Sequence, residues 1–559
     1  MRGSIAEVPT TGLRVIRTVE QLDAYLDSPG NGGDPDSRIQ DYAQFAQEQG
    51  LAEARLLEAA RLDLAYLRME TIEPSAQALE LMTSRRAREL RAIPVRVSGH
   101  LLAVAMEDPW DVQALHMLGF LSRYQVVPLL ASPRAVHERI AVSYERAEDA
   151  AIARELGLDP AAADMQSEHD VERLAREQPV VRMVAEMIEE GARRRASDIH
   201  VRPGEKDVEL LYLIDDEMVP IRTFLPALLP AIVSRIKVLA GMNLAEHRRP
   251  QDGRCSVPLA GGRVVDMRVS VMPAVFGESV ALRLLDSQES LRDLGTLGLS
   301  DADHTRVIDL MNRSHGMFLV TGPTGCGKST TLYAMLLELR KQQINILTIE
   351  DPVEYHIGGI QQMQVNRAAG FTFASAMRNF LRHDPDAIMV GEIRDRETAA
   401  IAVESALTGH LVLSTLHTNT AATTITRLLD LGIEAFLLRS ALLGVMAQRL
   451  VRRICPHCRQ PDPGDPHMRD VMQALPDDRF YRGRGCVHCE GLGVRGRLAV
   501  HELLVVSPAI RQRIAPGAEA DRIHILATAE GMTPLTHAAM TLARQGQISL
   551  DEAYRVRTA

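Results

Sequence analysis

Aromatic residues make up only 4% of the 559-residue chain, with one tryptophan, ten tyrosines and ten phenylalanines. That scarcity disfavours a reader of single-stranded nucleic acid, which needs aromatic platforms for base stacking. Basic excess is missing as well. The 63 Lys and Arg face 73 Asp and Glu, a formal net charge of −10, so the chain as a whole carries no basic footprint for DNA or RNA. No run of about 18 apolar residues occurs, which excludes a bilayer-spanning helix. Residues 1–8 lack the apolar core of a signal peptide. The expected location is the cytosol, with membrane contact made through partners or a surface patch. Cysteine is sparse: six residues, four of them in two Cys-x-x-Cys pairs late in the chain. In a cytosolic protein that pattern reads as metal binding rather than disulfide.

What remains is an ordinary globular composition, 46% hydrophobic and 24% charged, of a length that calls for three or four domains. Residues 1–37 end in the run SPGNGGDPDS and are expected to be a flexible terminus and linker. Residues 38–145 read as a small α/β domain with a hairpin over IPVRV-SGH-LLAVAM. The acidic, Ala-rich stretch 146–170 reads as a linker containing some helix. A second α/β domain is expected over 171–288, with strands in ASDIHV, VELLYLI, RVVDMRVSVM and SVALRLL. Over 289–453 strands and helices alternate, the signature of a doubly wound parallel sheet. A Pro-, Gly- and Cys-rich module at 454–490 and a helical region at 491–559 complete the chain.

The most specific motif is MFLVTGPTGCGKSTTLYAML. Here Gly322-Pro323-Thr324-Gly325-Cys326-Gly327-Lys328-Ser329-Thr330 follows an apolar strand and opens a helical pattern, as a phosphate-binding loop requires. The glycines let backbone N–H groups close around phosphate, and the helix N-terminus adds a favourable dipole. Lys328 is placed to reach the β- and γ-phosphates and Ser329 to ligate Mg²⁺. Cys326 reads as a spacer. Two further apolar strands end in acids: ILTIEDPVEY in Glu350, Asp351 and Glu354, and DAIMVGEIRD in Glu392, where Gly391 stands in the usual aspartate position. Near the end, Cys455-Pro-His-Cys458 and Cys486-Val-His-Cys489 are separated by 27 residues. That suits a closed, tetrahedral, structural Zn²⁺ site of four thiolates, with His457 and His488 as bystanders in preference to substitute ligands.

The order of phosphate loop, aspartate-rich box (ILTIEDPVEYH), VGEIRD and histidine box (TGHLVLSTLHTN) resembles the secretion ATPase superfamily of type II secretion and type IV pili. The resemblance runs from about residue 72 to the end of the chain. It implies a RecA-like P-loop domain, a preceding PAS-like α/β domain, an N-terminal docking domain and a zinc ribbon. It implies ATP, Mg²⁺ and structural Zn²⁺ as cofactors, with Glu354 as general base, Glu392 as the acid beside Mg²⁺, and His410 and His417 as the two box histidines, His417 near the γ-phosphate. Arg254, Arg268 and Arg283, in AEHRRPQDGR and MRVSVMPAVFGESVALRLLD, match arginines that approach the phosphates from the neighbouring domain or subunit. One departure stands out: the family's R-x-R-x-D-G run is replaced by Leu211-Tyr212-Leu213-Ile214-Asp215-Asp216.

The tetracysteine module resembles secretion and assembly motors more than retraction motors. The implied protein is a homo-hexameric ATPase of a type II secretion system, peripherally attached to the inner membrane. Its partners would be the cytoplasmic domains of platform subunits (GspL-like and GspF-like), with acidic phospholipid as a further contact left open and no nucleic acid expected. A type IV pilus assembly ATPase is the alternative, and a DNA-transfer ATPase the alternative of another class. Some relatives bind cyclic di-GMP through a motif starting Arg-Leu-Gly. The nearest run here, Arg38-Ile39-Gln40, lacks that glycine, so this ligand is not expected.

Overall fold

The computed structural model describes residues 13–27, 38–39, 42–49, 51, 53–158, 173–259, 262–285, 292–489 and 491–558. It is an α/β chain of two compact units, residues 1–263 with 267–284 and residues 264–266 with 285–559.

The first unit holds two six-stranded sheets. In the first, β1 (Leu13–Ile16), β2 (Arg38–Ile39), β3 (Tyr66–Leu67), β4 (Ala92–Ser98), β5 (Leu101–Met106) and β6 (Gln125–Leu130) lie in the order β2-β1-β3-β6-β5-β4. β4 and β5 form the anticipated antiparallel hairpin, and β6 runs parallel to β5. The expectation of a flexible stretch over 1–37 fails over its described part. β1 pairs parallel to β3, and Leu22 and Leu26 of the helix Val19–Asp27 are buried in the common core. Arg96 on β4 ties that helix down with two hydrogen bonds of 2.9 Å to Asp23. Four residues, LRVI, are too few to show a periodicity against the turn-forming run at 28–37, which itself lies outside the described residues.

The linker expected over 146–170 also carries structure at its start. Residues Arg146–Glu155 form a helix; Ala153, Leu156 and Leu158 are buried. So is Asp149, whose carboxylate accepts from the Arg222 guanidinium (2.7 Å) and the Leu225 amide (3.2 Å). Burial pushes the Asp149 carboxyl up, and Arg222 opposes that shift. Residues 159–172 lie outside the described residues.

The second sheet comprises β7 (Asp198–Pro203), β8 (Val208–Ile214), β9 (Glu217–Phe224), β10 (Gln251–Pro258), β11 (Val264–Ala274) and β12 (Gly277–Leu285), ordered β10-β11-β12-β7-β8-β9. β9 and β10 were not anticipated: β10 (QDGRCSVP) mixes polar and turn-forming residues with few apolar ones, and in β9 (EMVPIRTF) a proline and charged residues interrupt the apolar pattern. β8 and β9 are joined by Asp215-Asp216, both at positive φ, which matches the right-handed twist of a two-residue hairpin. Leu211 and Tyr212, in the run that departs from the family pattern, are buried.

The second unit is built on seven strands: β13 (Gly316–Thr321), β14 (Ile346–Glu350), β15 (Gln361–Gln364), β16 (Ala387–Val390), β17 (Leu411–Leu416), β18 (Leu442–Ile454) and β21 (Val494–Val505), ordered β15-β14-β16-β17-β13-β18-β21. The first six are parallel, and β21 is antiparallel to β18. Met317 and Leu319 of β13 join one apolar cluster while Phe318 and Val320 join another, so the strand is covered on both faces. This is why it reads as an unbroken apolar run. β19 (Arg459–Asp462) and β20 (Phe480–Gly483) form a small hairpin between β18 and β21. The region 491–559, expected to be helical, therefore begins with a 12-residue strand that completes the main sheet. Its charged residues and glycine hide the strand pattern. The helices Pro508–Arg513, Ala520–Ala529, Leu535–Arg544 and Leu550–Thr558 follow.

Asp149→Ala would take from the part-buried Arg222 guanidinium the carboxylate it binds inside the fold. The first unit should lose about 3 kcal/mol, read as an earlier urea midpoint by circular dichroism. An unchanged midpoint would show that the helix is merely laid on the surface.

Candidate functional site

The carboxyl ends of β13, β14, β16 and β17 share one edge of the long sheet, as the parallel registers require. In sheets of this type ligands bind at that edge. β13 ends in Thr321, the loop Gly322–Gly327 follows, and the helix Lys328–Arg340 begins at once. Pro323, Thr324 and Gly325 form the exposed crest, Cys326 is buried, and Ser329 and Thr330 are half-buried on the first helical turn. Gly322 has φ +148, and a Cβ there would stand 2.5 Å from the Gln448 carbonyl oxygen and 2.6 Å from Cys326 Sγ, so no side chain fits. Lys328 Nζ lies within the loop, donating to the carbonyls of Gly322 and Pro323, both at 2.9 Å. Burial holds its ammonium below the usual lysine range; Cys326 and Glu392 oppose this, and Arg449 adds to it. A largely buried ammonium held inside a glycine-rich loop at a helix N-terminus is suited to phosphate.

Glu392 follows β16 and is mostly buried. Arg394 Nε lies 2.7 Å from its carboxylate, and His417 Nε2, just past the end of β17, lies 3.4 Å away. His417 is placed by threonines. Thr418 donates its amide to Thr321 Oγ1 (3.0 Å), and the Thr418 hydroxyl is 2.6 Å from both Thr321 Oγ1 and Thr424 Oγ1. The end of the phosphate-loop strand and the histidine loop are thereby tied together. His410 sits at the opposite end of β17, about 20 Å away along the strand, and its Nδ1 contacts the Ser405 carbonyl at 3.0 Å. It belongs to the frame of the sheet.

Glu354 is exposed, and its backbone amide donates to the Tyr333 hydroxyl at 3.2 Å. Tyr333 in turn donates to the buried carboxylate of Glu350, which also accepts from Thr348 Oγ1 (2.6 Å) and Gln362 Nε2 (3.2 Å). With its oxygens so engaged, Glu350 anchors the acidic loop. Sequence reasoning missed Tyr333, the Thr321–Thr418 pair and Gln448. The last had a signal: Gln448-Arg449 is a polar pair inside the apolar run LLGVMAQRLV. Gln448 is buried, its amide donating to the Cys326 carbonyl and accepting from Thr331 Oγ1, both at 2.7 Å.

Arg254, Arg268 and Arg283 lie in the first unit, where they line a single cavity of about 430 Å³ with Asp198 and Asp252. Arg283 Nε is 2.8 Å from Asp198 Oδ1. The structure thus brings these three together, in a different unit from the phosphate loop.

The sulfurs of Cys455, Cys458, Cys486 and Cys489 all lie within 4.8 Å of one another, with pairs at 3.7 and 3.8 Å. Four thiolates around a tetrahedral ion at about 2.3 Å have edges of about 3.8 Å, so the four can hold one metal ion. Three are buried, which fits a closed site. His457 and His488 stack on each other, 3.9 Å between centroids, outside the sulfur set. The module depends on a backbone crossing: a Cβ on Gly483 would lie 1.9 Å from the Gly493 carbonyl oxygen.

Residues 173–555 match the family profile described as type II/IV secretion system protein, and residues 62–150 match the MshEN domain. The type II secretion system ATPase E of Vibrio cholerae is 47% identical over 383 residues, 68% of this chain and 75% of that protein. The type IV pilus assembly ATPase PilB of Thermus thermophilus is 40% identical over 503 residues, 88% of this chain but only 56% of that longer relative. Among solved structures, the Legionella pneumophila ATPase DotB matches 66% of this chain and 94% of its own at a TM-score of 0.51 and 24% identity, a likeness of fold.

Metal analysis of the full chain should return one zinc per chain. Cys458→Ser should abolish it and Gly483→Ala should lower it by about half or more, through the loss of four-thiolate geometry. Zinc retained undiminished by Cys458→Ser would remove the tetrathiolate assignment.

Proposed function

The chain belongs to the type II/IV secretion system protein family, and from that premise we propose that it is the ATP-hydrolysing motor of a type II protein secretion system. It drives pseudopilus assembly at the inner membrane. The observation that carries the chemistry is the gathering of the Lys328 loop, Glu392 and His417 at adjoining strand ends, with Glu354 tethered beside them through Tyr333. The 47% identity to a type II secretion ATPase favours the machine.

The reaction is phosphoryl transfer to water, in which positioning and charge neutralisation do most of the work. Lys328 and the loop amides hold the β- and γ-phosphates. Ser329 and Glu392 are the residues that would hold Mg²⁺, which supplies charge neutralisation on those phosphates when bound with the nucleotide. Glu354 orients and deprotonates the attacking water, and His417, held against Glu392, faces the γ-phosphate side. Arg254, Arg268 and Arg283 form the set of cations that stabilises transition-state charge, an effect worth about 10³–10⁵ in rate for an arginine finger. The four thiolates hold a structural Zn²⁺, the sheet β7–β12 with the helices Gln178–Arg193 and Leu229–Leu239 is a PAS-like domain, and residues 38–145 dock onto the platform subunits. The working form is a homo-hexamer on the cytoplasmic face. Among the described residues no helix is long and apolar enough to cross a membrane, in keeping with attachment through partners.

A second reading, assembly of a type IV pilus, is favoured by the PilB alignment across 88% of the chain. It leaves every active-site role unchanged. Co-purification of the full chain with the host's type II and pilus platform cytoplasmic domains, side by side, separates the two. Binding to the first only is expected, and binding to the second only would transfer the protein to the pilus machine.

Lys328→Ala should abolish ATP turnover. Glu354→Gln should bind nucleotide with a turnover reduced by about 10²-fold or more, in line with general-base losses. Turnover by Glu354→Gln at the wild-type rate would remove that residue's role.

A further inference from the structure

Arg449 on β18 is a buried cation that the scheme above does not use. It is 5% exposed, and among the described residues no carboxylate lies within hydrogen-bonding distance of it. Its guanidinium donates to the Gln448 carbonyl (3.1 Å), the Asn419 carbonyl (3.0 Å) and Asn419 Oδ1 (3.3 Å), while its Nε is buried without a partner. A buried charge that no carboxylate touches is expensive, and so is an unmade hydrogen bond. A neutral side chain would fill this place at lower cost if packing were the only demand.

Two neighbours say what the charge is near. A guanidinium nitrogen lies 3.2 Å from where a Cβ on Gly322 would stand, so the group rests against the first glycine of the phosphate loop. Asn419 comes two residues after His417, on the loop that brings that ring to Glu392. The adjacent Gln448 grips the same phosphate loop through the Cys326 carbonyl and Thr331. One dipeptide of β18 thus holds the phosphate loop with one side chain and joins it to the histidine loop with the other. The groups facing Arg449 are Cys326 on the loop and, farther off, Glu502 on β21; both favour its charged form, against burial.

We propose that Arg449 is a positioning residue of the ATPase reaction, clamping the phosphate loop to the His417 loop, with its guanidinium, which no carboxylate among the described residues touches, answered by nucleotide phosphates across Gly322. Phosphate arriving in the loop draws on the guanidinium, the guanidinium holds Asn419, and Asn419 fixes where His417 meets Glu392. The effect falls on turnover more than on nucleotide capture, because Gln448 and the loop amides remain to bind phosphate. This rests on the reading that the Lys328 loop is the hydrolytic site.

The test is a double-mutant cycle on the full-length protein, with Arg449→Gln, His417→Ala and the pair. Steady-state ATPase, binding of fluorescent ADP and thermal melting are measured for each. Arg449→Gln should lower kcat by about tenfold or more with ADP affinity within about threefold of wild type, and Arg449→Lys should restore part of the rate, as for an interaction expressed in the transition state. In the His417→Ala background the same change should cost less than about twofold, because residues acting as a unit are non-additive. Additive losses, an unchanged kcat, or a loss confined to ADP affinity would overturn the clamp. If Arg449→Gln fails to fold, Asn419→Gly replaces it at the exposed end, with the same non-additivity towards His417→Ala expected and additivity again overturning the idea. Wild-type protein without turnover, or turnover that survives Lys328→Ala, would instead strike the reading of the site itself.

Discussion

The parallel pairing of β13 between β17 and β18 is the constraint from which the site follows. Six consecutive residues, Gly316 to Thr321, are buried, with apolar clusters on both faces. A strand held this way cannot shift register without exposing its core residues on both faces. Its register with β17 sets Thr321 opposite Leu416, and its register with β18 sets Thr321 opposite Ala447. The phosphate loop, the histidine loop and the Gln448-Arg449 pair therefore emerge side by side because three strands end or pass at one edge. The hydroxyl contacts between Thr321 and Thr418 then convert that adjacency into a fixed geometry.

The acidic side of the site is held by a different device. Glu350 is an acid at the end of an apolar strand, the kind of residue that invites a catalytic role, yet its oxygens are occupied by Thr348, Gln362 and Tyr333. It serves as an anchor, and Tyr333 is the tether through which the loop bearing Glu354 is kept near the phosphate helix. Burial, reinforced by the neighbouring Glu350 carboxylate, pushes the Tyr333 phenol far above its usual range, which keeps it a donor towards that carboxylate.

The P-loop, the alternation of strands and helices around it and the cysteine pairs were legible because each rests on local spacing: glycines at fixed offsets, apolar runs ended by acids, and Cys-x-x-Cys. What was illegible depends on distant partners. β21 reads as irregular because its residues alternate Arg, Gly and His with apolar ones, and only its pairing with β18 makes it a strand. β1 is four residues whose meaning comes from β3, some 50 positions away. His410 and His417 were told apart only by the resemblance, and β17, which lies between them, gives the physical reason by holding them at opposite ends of one strand. Tyr333 lies in a helix whose apolar pattern gives no hint that its hydroxyl is needed elsewhere.

The tetracysteine module sits between β18 and β21, so the last strand of the main sheet is reached only through it. In polymer terms the chain from Cys455 to Cys489 is an unusually long hairpin connection. Closing such a connection is entropically unfavourable, and the penalty falls on the pairing of β21 with β18. A metal ion held by both cysteine pairs would pin the two ends of that connection together. By analogy with a covalent cross-link over a loop of this size, it would remove about 3–4 kcal/mol of loop-closure entropy from the unfolded side. Such an ion would bear on the folding of the ATPase sheet itself, because β21 carries Glu502 to the start of the helix Ala421–Asp430, where its carboxylate accepts from the Ala421 amide.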